Sequence, residues 1–468
     1  MVGWSVTGAA SLSLSGVGAV TGTSSTVDPS KTTMYTLTAT NADGSVTKTV
    51  TVTVTVAASN PIPAPTQAQS TAQSYEMGVV THFGQDHGNV EANLNLIQDM
   101  GASTIRDEVY WRELEHQKGR YAMSTIDEAW VNAAVAKGLK PLITLDYGNP
   151  LYDNGDKPTS AAAIEAYANY AEFVATYFKG RVTMYEIWNE WDLTTGNTTR
   201  GTPQGYVNLL KVVYPRLKAV DPNIVVVGGG VSAGAVLSDW FAEMLDAGAL
   251  KSADAISIHE YIFNSTGAKR SPETLIGKLA GVQTTLQSRN GGKTFPLYLT
   301  ETGWPTNTGN AGTTEAEAGD FNAETALLVP SVPGLKAIYW YDFQDDGSVS
   351  NNPEDNFGLI HVNQSPKPGY YALTDARNWM AGAKFAARIT TSDSAVDGVK
   401  FTLADGTEAV ALWRMGAGTS NVEVTGGETM ESINQATATT TTFKVKSPVL
   451  QDLTESPVWF VGTGLKVQ

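Results

Sequence analysis

Two short stretches of the chain place a glutamate where an apolar run gives way to a loop. "YEIWNEWD", residues 185–192, contains Asn189 and Glu190, and "YLTETGWP", residues 298–305, contains Glu301. Two carboxyl groups facing each other across a cleft can hydrolyse a glycosidic bond, because one protonates the leaving oxygen while the other meets the sugar carbon. A like charge nearby raises the pKa of one carboxyl, so one of the two is expected to stay protonated near neutral pH. The alternative is that each glutamate only ends a strand in solvent.

The elements that must position these glutamates form a regular alternation between Tyr75 and Gly382. Eight apolar strand candidates occur there, separated by amphipathic helical stretches: "MGVVTHF", "STIRDEVY", "LKPLITLDYG", "VTMYEIWNE", "NIVVVGGG", "AISIHEYIF", "FPLYLTETGW" and "LKAIYWYDF". Eight strand–helix units over roughly 300 residues favour an α/β fold, the (β/α)₈ TIM barrel, over the competing doubly wound sheet. Catalytic groups of such barrels lie at the carboxyl ends of the strands. Glu190 ends the fourth strand candidate and Glu301 the seventh, so the two are expected to meet at the barrel mouth.

The rest of the chain divides into three segments. Residues 1–56 alternate polar and apolar residues around an "NADG" turn, which predicts a small β-sandwich module. Residues 57–74, "AASNPIPAPTQAQSTAQS", have the composition of a linker. Residues 383–468 return to strand signals without helical periodicity, so a C-terminal β-sandwich packed on the barrel at 75–382 is expected.

Composition excludes several classes of function. The 468 residues carry a net charge of −16 and no basic cluster, so nucleic acid is not an expected partner. No run of about 18 apolar residues predicts a membrane span. Cysteine is absent, which excludes disulfides and thiolate metal sites. The five histidines lack spacings such as His-Glu-x-x-His, so neither a metal nor another cofactor is expected, and the chain is expected to act as a monomer.

The N-terminal segment resembles bacterial immunoglobulin-like modules through "TTMYTLTATNADGSVTKTVTVTV". The module begins almost at once with "GWSVTG", so one or more leading strands are expected to be missing from it. The first residues lack the charged start and apolar core of a secretory signal. A secreted or cell-surface bacterial location nevertheless remains the expectation.

The central segment resembles clan A of the glycoside hydrolases, whose motif is Asn-Glu after strand four and a second Glu after strand seven. The likeness narrows towards family 39 and its exopolysaccharide-hydrolase relatives through "THFG", "LDYGNPLYD", "EIWNEWD" and "NFGLIHVNQSPKPGYYAL". It implies a retaining hydrolase of β-linked poly- or oligosaccharide, with Glu190 as acid/base, Glu301 as nucleophile and Asn189 on the sugar 2-hydroxyl. Trp191 occupies the position where many relatives have Pro, so the substrate contacts that relatives make beside this position are not assigned to this chain.

Further strand-end residues are candidates for the same site. Arg106 on strand two could hold the nucleophile ionised, or it could pair at the surface with Asp107 or Glu108. His259 and Tyr261 alternate on strand six, and relatives place such a pair near the nucleophile; a core histidine is the alternative. The remaining candidates are hydroxyl-binding groups at strand ends one and three, and aromatics that core packing would explain equally well: His82, Asp146, Tyr147, Trp111, Trp188, Trp191, Trp304 and Trp340.

Other functions stay open at this stage. "VVVGGGVSAG" follows an apolar strand, but Gly228, Gly230 and Gly234 miss the dinucleotide spacing by one residue, so a tight exit from strand five is expected. A carbohydrate-binding or adhesive protein with a weak or lost activity is the non-enzyme alternative. Another clan A family, such as the family 5 endoglucanases, is the enzymatic one.

Overall fold

The computed structural model describes residues 2–25, 27, 33–42, 44–52, 75–427, 429–436 and 439–468. The chain divides into two compact units, Met1–Ser70 and Thr71–Gln468. The predicted linker 57–74 lies outside the described residues. No helix in the described part of the chain has the length and apolar character needed to cross a bilayer.

The first unit contains two antiparallel sheets. Thr33–Asn41 and Gly44–Val52 form the predicted hairpin, with Asn41 opposite Gly44, and the four-stranded sheet continues through Ser11–Leu14 and Gly18–Val20. Val2–Gly3 pairs with Ser24–Ser25. A small core contains the buried side chains of Val2, Leu14 and Tyr35. The immunoglobulin-like identity of this unit stays a prediction.

The second unit contains a closed barrel of eight parallel strands, which confirms the predicted (β/α)₈ fold. Each strand overlaps a predicted candidate, although the first begins one residue before its candidate and the fifth ends one residue after its own. The last strand pairs with the first. The strands are Glu76–Val80, Thr104–Tyr110, Lys140–Asp146, Met184–Ile187, Val225–Val231, Ala255–His259, Leu297–Thr302 and Leu335–Trp340. We number these barrel strands one to eight.

Helices alternate with the barrel strands and cover them. Several begin at a Ser or Thr whose side chain accepts a hydrogen bond from the first turn; Thr202 and Ser271 do so directly before a proline at the first helical position. The α-helices are Val90–Asp99, Trp111–Leu114, Thr125–Ala136, Ala161–Tyr177, Pro203–Val220, Ala233–Leu237, Asp239–Asp246, Pro272–Arg289, Glu315–Leu328 and Pro368–Met380.

The period of two along each strand separates the barrel interior from the layer under the helices. On strand eight, Ala337 and Tyr339 belong to the interior cluster, whereas Ile338 and Trp340 belong to the cluster shared with the helices. The same alternation points Arg106 of strand two and Glu186 of strand four inwards. The barrel therefore contains a charged layer where the strands approach their carboxyl ends.

The glycine run after "VVV" lies inside strand five, not beyond it. A Cβ on Gly229 would lie 2.2 Å from the carbonyl oxygen of Ser257, and this glycine adopts φ +126°. The pairing register with strand six shifts between Gly228 and Val231. The run thus permits a bulge and close strand contact, and the expected tight exit from the strand is wrong in its position.

The C-terminal part forms a sandwich of a six-stranded and a three-stranded antiparallel sheet. Its strands are Lys384–Arg388, Val396–Thr402, Glu408–Arg414, Ser420–Thr425, Thr429–Ala436, Thr439–Lys446, Val449–Leu453, Val458–Gly462 and Lys466–Val467. The outer face of the larger sheet packs on barrel helices, where Trp459 stacks on Trp379 at 4.9 Å and Trp413 Nε1 donates to Glu273 Oε1 at 2.9 Å.

Candidate active site

A cleft of about 590 Å³ opens at the carboxyl ends of the barrel strands. Glu190 and Glu301 both line it, together with Asn189, Arg106 and Tyr261. Residues far apart in the sequence thus meet in one cavity, as the placement at the ends of strands four and seven predicts.

The backbone around Glu190 explains why an amide, a carboxyl and an indole are adjacent in "WNEW". Trp188 and Glu190 adopt φ +69° and +50°, a left-handed conformation that costs a non-glycine residue about 1–3 kcal/mol. Hydrogen bonds hold it: the Trp188 N–H donates to the Leu145 oxygen at 3.0 Å, and the Glu190 N–H donates to the Gly230 oxygen at 2.7 Å. The Trp188 indole packs on Trp191 in the core while the Glu190 carboxyl faces the cleft.

Both carboxylate oxygens of Glu301 accept a hydrogen bond. Arg106 Nη1 donates to Oε1 at 2.8 Å, and the Tyr261 hydroxyl donates to Oε2 at 2.9 Å. The residue is 8 % exposed. A guanidinium and a phenol on opposite oxygens fix the orientation of this carboxylate.

Arg106 is the centre of a buried network. Besides Glu301, it donates from Nε to Glu186 Oε2 at 2.6 Å and from Nη2 to Asn189 Oδ1 at 2.9 Å. Burial raises the pKa of Glu186, but the charges of Arg106 and His259, with hydrogen bonds from Ser257 and Arg106, together hold that pKa below its usual value. One guanidinium therefore connects strands two, four and seven beneath the cleft.

The alternative surface pairing of Arg106 is wrong, because its neighbours in sequence have other partners. Asp107 accepts from the Thr81 hydroxyl at 2.6 Å and so fixes the loop after strand one. Glu108 accepts from the Tyr110 hydroxyl. Arg106 itself is only 2 % exposed, so no surface ion pair is possible.

His259 lies between the two glutamates. Its Nδ1 is 3.2 Å from Glu190 Oε1 and 3.4 Å from Glu301 Oε2, and one oxygen of each carboxyl lies within 4.8 Å of the other. Burial lowers the pKa of His259, but the charges of Glu301 and Glu190 overcome it and raise that pKa. The two carboxylates therefore favour the protonated form of His259.

His259 also shifts the pKa of Glu190. Burial raises the pKa of Glu190, but hydrogen bonds from His259 and Thr195, with the charge of His259, lower it below its usual value. The Thr195 hydroxyl donates to Oε2 at 2.9 Å. The direction of this pKa shift is opposite to the one expected from a neighbouring carboxylate, because His259 lies between the pair.

Comparison with known proteins identifies the family. Residues 67–330 match the model described as Cellulase (glycosyl hydrolase family 5), which is more than half of the chain. The chain belongs to this family. It is therefore a glycosidase of clan A, and the predicted clan is confirmed. Family 5 was the alternative enzyme family in the sequence analysis, where the resemblance to family 39 was preferred.

A relative and two solved structures are also similar to this family 5 chain. A probable glucan endo-1,3-beta-glucosidase of Arabidopsis thaliana is 32 % identical over 105 residues, which cover 21 % of this chain and 30 % of that protein. A family 39 glycoside hydrolase of Bacteroides cellulosilyticus superposes with a TM-score of 0.72 at 24 % identity, covering 97 % of this chain and 94 % of that one. A monomeric beta-xylosidase of Caulobacter crescentus gives 0.59 at 17 %, covering 84 % and 97 %. At these identities the two structures show the fold.

Strand ends one and three contribute unequally to the site of this family 5 enzyme. The Tyr147 hydroxyl accepts from Asn189 Nδ2 at 2.6 Å and lines the cleft, as does His82. Asp146 is fully buried behind the cleft wall, and burial with the charge of Glu108 raises its pKa well above the usual value. Asp146 is thus not placed to bind a sugar hydroxyl directly.

The predicted tryptophan contacts need correction. Trp191 and Trp340 are at most 1 % exposed and Trp304 is 4 % exposed, and none lines the cleft. Trp340 faces the helix layer because the next inward position on strand eight after Tyr339 is Tyr341. Tyr341 lines the cleft with aromatics that the sequence reasoning missed: Tyr110, Phe263 and Phe357. The alternation of strand eight was the signal that could have selected Tyr341.

Acidic residues in the cleft wall were also missed. Glu108, Asp346 and Glu354 line the cleft beside the two central glutamates. The latter two come from the long loop "DFQDDGSVSNNPEDNFG" after strand eight, where no periodicity indicates which side chains face inwards. The cleft wall is therefore strongly acidic.

Proposed function

We propose that the chain is a retaining glycoside hydrolase that cleaves β-linked poly- or oligosaccharide by double displacement. The observation that carries the proposal is the proximity of Glu190 and Glu301, an oxygen of each lying within 4.8 Å of the other. Retaining enzymes need carboxyl groups about 5–5.5 Å apart, whereas inverting enzymes leave about 6.5–9.5 Å for a water molecule. The spacing supports direct attack by one carboxylate.

Glu301 is the nucleophile in this proposal. Its carboxylate attacks the anomeric carbon while Glu190 transfers a proton to the departing glycosidic oxygen, leaving a glycosyl ester on Glu301. Glu190, now a carboxylate, then takes a proton from water as the water oxygen attacks the anomeric carbon and releases Glu301. The hydrogen bonds from Arg106 and Tyr261 support this role, since they fix the orientation of the Glu301 carboxylate in the cleft.

His259 can supply the proton that Glu190 needs. The imidazolium with two carboxylates carries the same number of protons as a neutral imidazole with a protonated Glu190. Movement of one proton across the 3.2 Å contact between His259 and Glu190 therefore produces the reactive state without uptake from solvent. A bound sugar that excludes water favours this less charged arrangement of the pair.

The cleft lining supports a polymeric, uncharged substrate. Tyr341 and Phe357 offer aromatic faces for sugar rings, while Glu108 and Glu354 would repel carboxylated or sulfated chains. The likeness to a family 39 hydrolase, a β-xylosidase and a glucan endo-1,3-beta-glucosidase agrees with a β-linked glycan. We further propose that the enzyme is secreted or held at the cell surface, where polysaccharide occurs.

The mechanism is tested by azide rescue with an aryl β-glycoside that has a good leaving group. In Glu301→Ala, azide should attack from the vacated face and give the inverted glycosyl azide. In Glu190→Ala, the glycosyl ester should still form and azide should intercept it with net retention. NMR of the anomeric proton distinguishes the products. The same anomer from both variants, or the reverse assignment, would contradict these roles.

The non-enzyme alternative, a carbohydrate-binding protein without catalysis, has no support from the family match or from the site. It predicts that glycan binding persists while wild-type turnover is absent on every neutral polysaccharide tested. If the wild type releases reducing ends and Glu301→Gln binds glycan without releasing them, the protein is an enzyme.

A further inference from the structure

A second cluster of ligand atoms lies at the wall of the cleft, away from the two central glutamates. His82 Nδ1 is 2.9 Å from Asp346 Oδ1, and His87 Nδ1 is 3.2 Å from the same oxygen. All three atoms lie within 4.8 Å of one another. The Nδ1 atoms of both imidazoles thus contact the same Asp346 oxygen, although Asp346 is more than 250 residues away in sequence.

A buried carboxylate and a small cavity adjoin the cluster. Asp342 Oδ2 lies 3.8 Å from His82 Nδ1, and its other oxygen has no hydrogen-bond partner among the described residues although Asp342 is 1 % exposed. A cavity of about 10 Å³ is lined by Asp342, His82 and His87. That volume is close to one solvent-sized sphere, and an unpaired buried carboxylate oxygen needs a compensating partner.

We propose that His82, His87 and Asp346 bind one divalent transition-metal ion, with Zn²⁺ the best match and water at the remaining position. Two imidazole nitrogens and one carboxylate oxygen form a three-ligand zinc donor set that leaves the fourth position open. Ligand atoms at about 2.1 Å from a tetrahedral ion lie about 3.4 Å apart. Asp346 Oδ1 is 2.9 and 3.2 Å from the two imidazole nitrogens, close to that value, and the three atoms lie within 4.8 Å of one another. The Asp342 carboxylate, 3.8 Å from His82 Nδ1, adds negative charge beside the ion.

The backbone brings the two loops close enough for such a site. The loop after strand one turns at Gly88, which adopts φ +82°, and a Cβ there would lie 2.7 Å from Gln344 Oε1 of the loop after strand eight. Asn93 Nδ2 donates to the same oxygen at 2.8 Å. A metal ion would therefore join the first and last loops of the barrel and fix the ring of His82 in the cleft wall.

The competing explanation is that the two histidines only hydrogen-bond to Asp346. It predicts no affinity for metal, so direct binding separates the explanations. Untagged full-length protein is freed of metal with a chelator, titrated with Zn²⁺ by calorimetry, and titrated with Co²⁺ while its visible absorption is recorded. We expect one ion per chain, an intense tetrahedral Co²⁺ spectrum, and a higher melting temperature with Zn²⁺.

Matched variants locate the ion. His87→Gln should weaken Zn²⁺ binding by more than about 100-fold and abolish the tetrahedral spectrum, since loss of an outer partner alone costs about 10–100-fold. His116→Gln, which removes an exposed histidine elsewhere, should change neither. Near-ultraviolet circular dichroism verifies that His87→Gln is folded. Absence of binding, or binding unaffected by His87→Gln, would overturn the proposal.

The Glu190, His259 and Glu301 cluster is a possible competitor for the ion. Glu301→Gln should leave Zn²⁺ affinity and the Co²⁺ spectrum unchanged if the ion occupies the proposed site. Loss of binding in this variant with retention in His87→Gln would assign the ion to the hydrolytic centre and refute the proposal. Because the readout is binding, failure of the proposed hydrolysis does not affect the outcome.

Discussion

Replacement of Arg106 by Met should destabilise the barrel because it leaves Glu186 as an unpaired buried charge. Arg106 gives Glu186 a hydrogen bond of 2.6 Å, and Glu186 is 0 % exposed. Its further donor, the Thr144 hydroxyl at 3.0 Å, is neutral. Removal of one partner from a buried ion pair costs about 3–5 kcal/mol in the free energy of unfolding.

Two further variants, Glu186→Gln and the double variant, test whether the unpaired charge causes the loss of stability. Glu186→Gln alone should cost only about 1.5–3 kcal/mol, because Arg106 keeps its bonds to Glu301 and Asn189. Arg106→Met with Glu186→Gln should be more stable than Arg106→Met alone, since the unpaired charge is gone. The double variant should therefore lose less stability than the sum of the losses of the two single variants.

The pH dependence of stability should also change. In the wild type the pKa of Glu186 is lowered on folding, so its contribution is present above the unfolded pKa of about 4.3 and is lost as pH falls through the folded value. In Arg106→Met, the charge of His259 remains, but loss of the Arg106 charge and hydrogen bond moves the pKa of Glu186 upwards. Stability of that variant relative to the wild type should therefore increase as pH falls from 7 towards 5.

Urea unfolding followed by tryptophan fluorescence at pH 5 and pH 7 measures both effects. Asp127 and Asp320 also have pKa values raised by burial, to about 7 and about 6, but they titrate alike in all four proteins and cancel in the differences. A double variant less stable than Arg106→Met, or an Arg106→Met protein that loses stability on acidification relative to wild type, would refute the buried-charge reasoning.

Three further outcomes are expected from this geometry. Thr195→Val removes a hydrogen bond that lowers the pKa of Glu190, so the pKa of the Glu190 carboxyl, followed by infrared difference titration, should rise; an unchanged or lower pKa contradicts the contact. Tyr341→Ala should raise KM by about 2- to 13-fold for loss of an aromatic face worth about 0.5–1.5 kcal/mol, whereas Trp340→Phe should lower the melting temperature with KM retained; the opposite pattern would show that Trp340 contacts the substrate. Deletion of residues 1–70 should leave turnover of a soluble substrate nearly unchanged, because the rest of the chain forms its own compact unit, and a large fall with folding intact would show a contribution from the first unit.

The sequence by itself determined the barrel and the two central glutamates. Eight apolar strands separated by helical patterns leave few architectures, and a barrel brings the ends of its strands together wherever the intervening loops go. Glu190 and Glu301 each lie at the carboxyl end of a strand. Their place in one cleft could therefore be predicted without knowing which side of the strand each side chain occupies. The motif around them then carried the family likeness.

Only the tertiary structure decided which neighbouring side chains share that cleft. Trp340 and Tyr341 are adjacent, and a shift of one residue in the alternation exchanges the cleft for the helix layer. The pKa of Glu190 depends on His259, which lies on another strand. The local sequence around either residue does not predict that contact. His82, His87 and Asp346 showed no metal spacing because their proximity comes from closure of the barrel, which pairs strand eight with strand one. Strand periodicity is a local property, whereas burial, pKa and ligand convergence depend on which distant segments the closed barrel brings together.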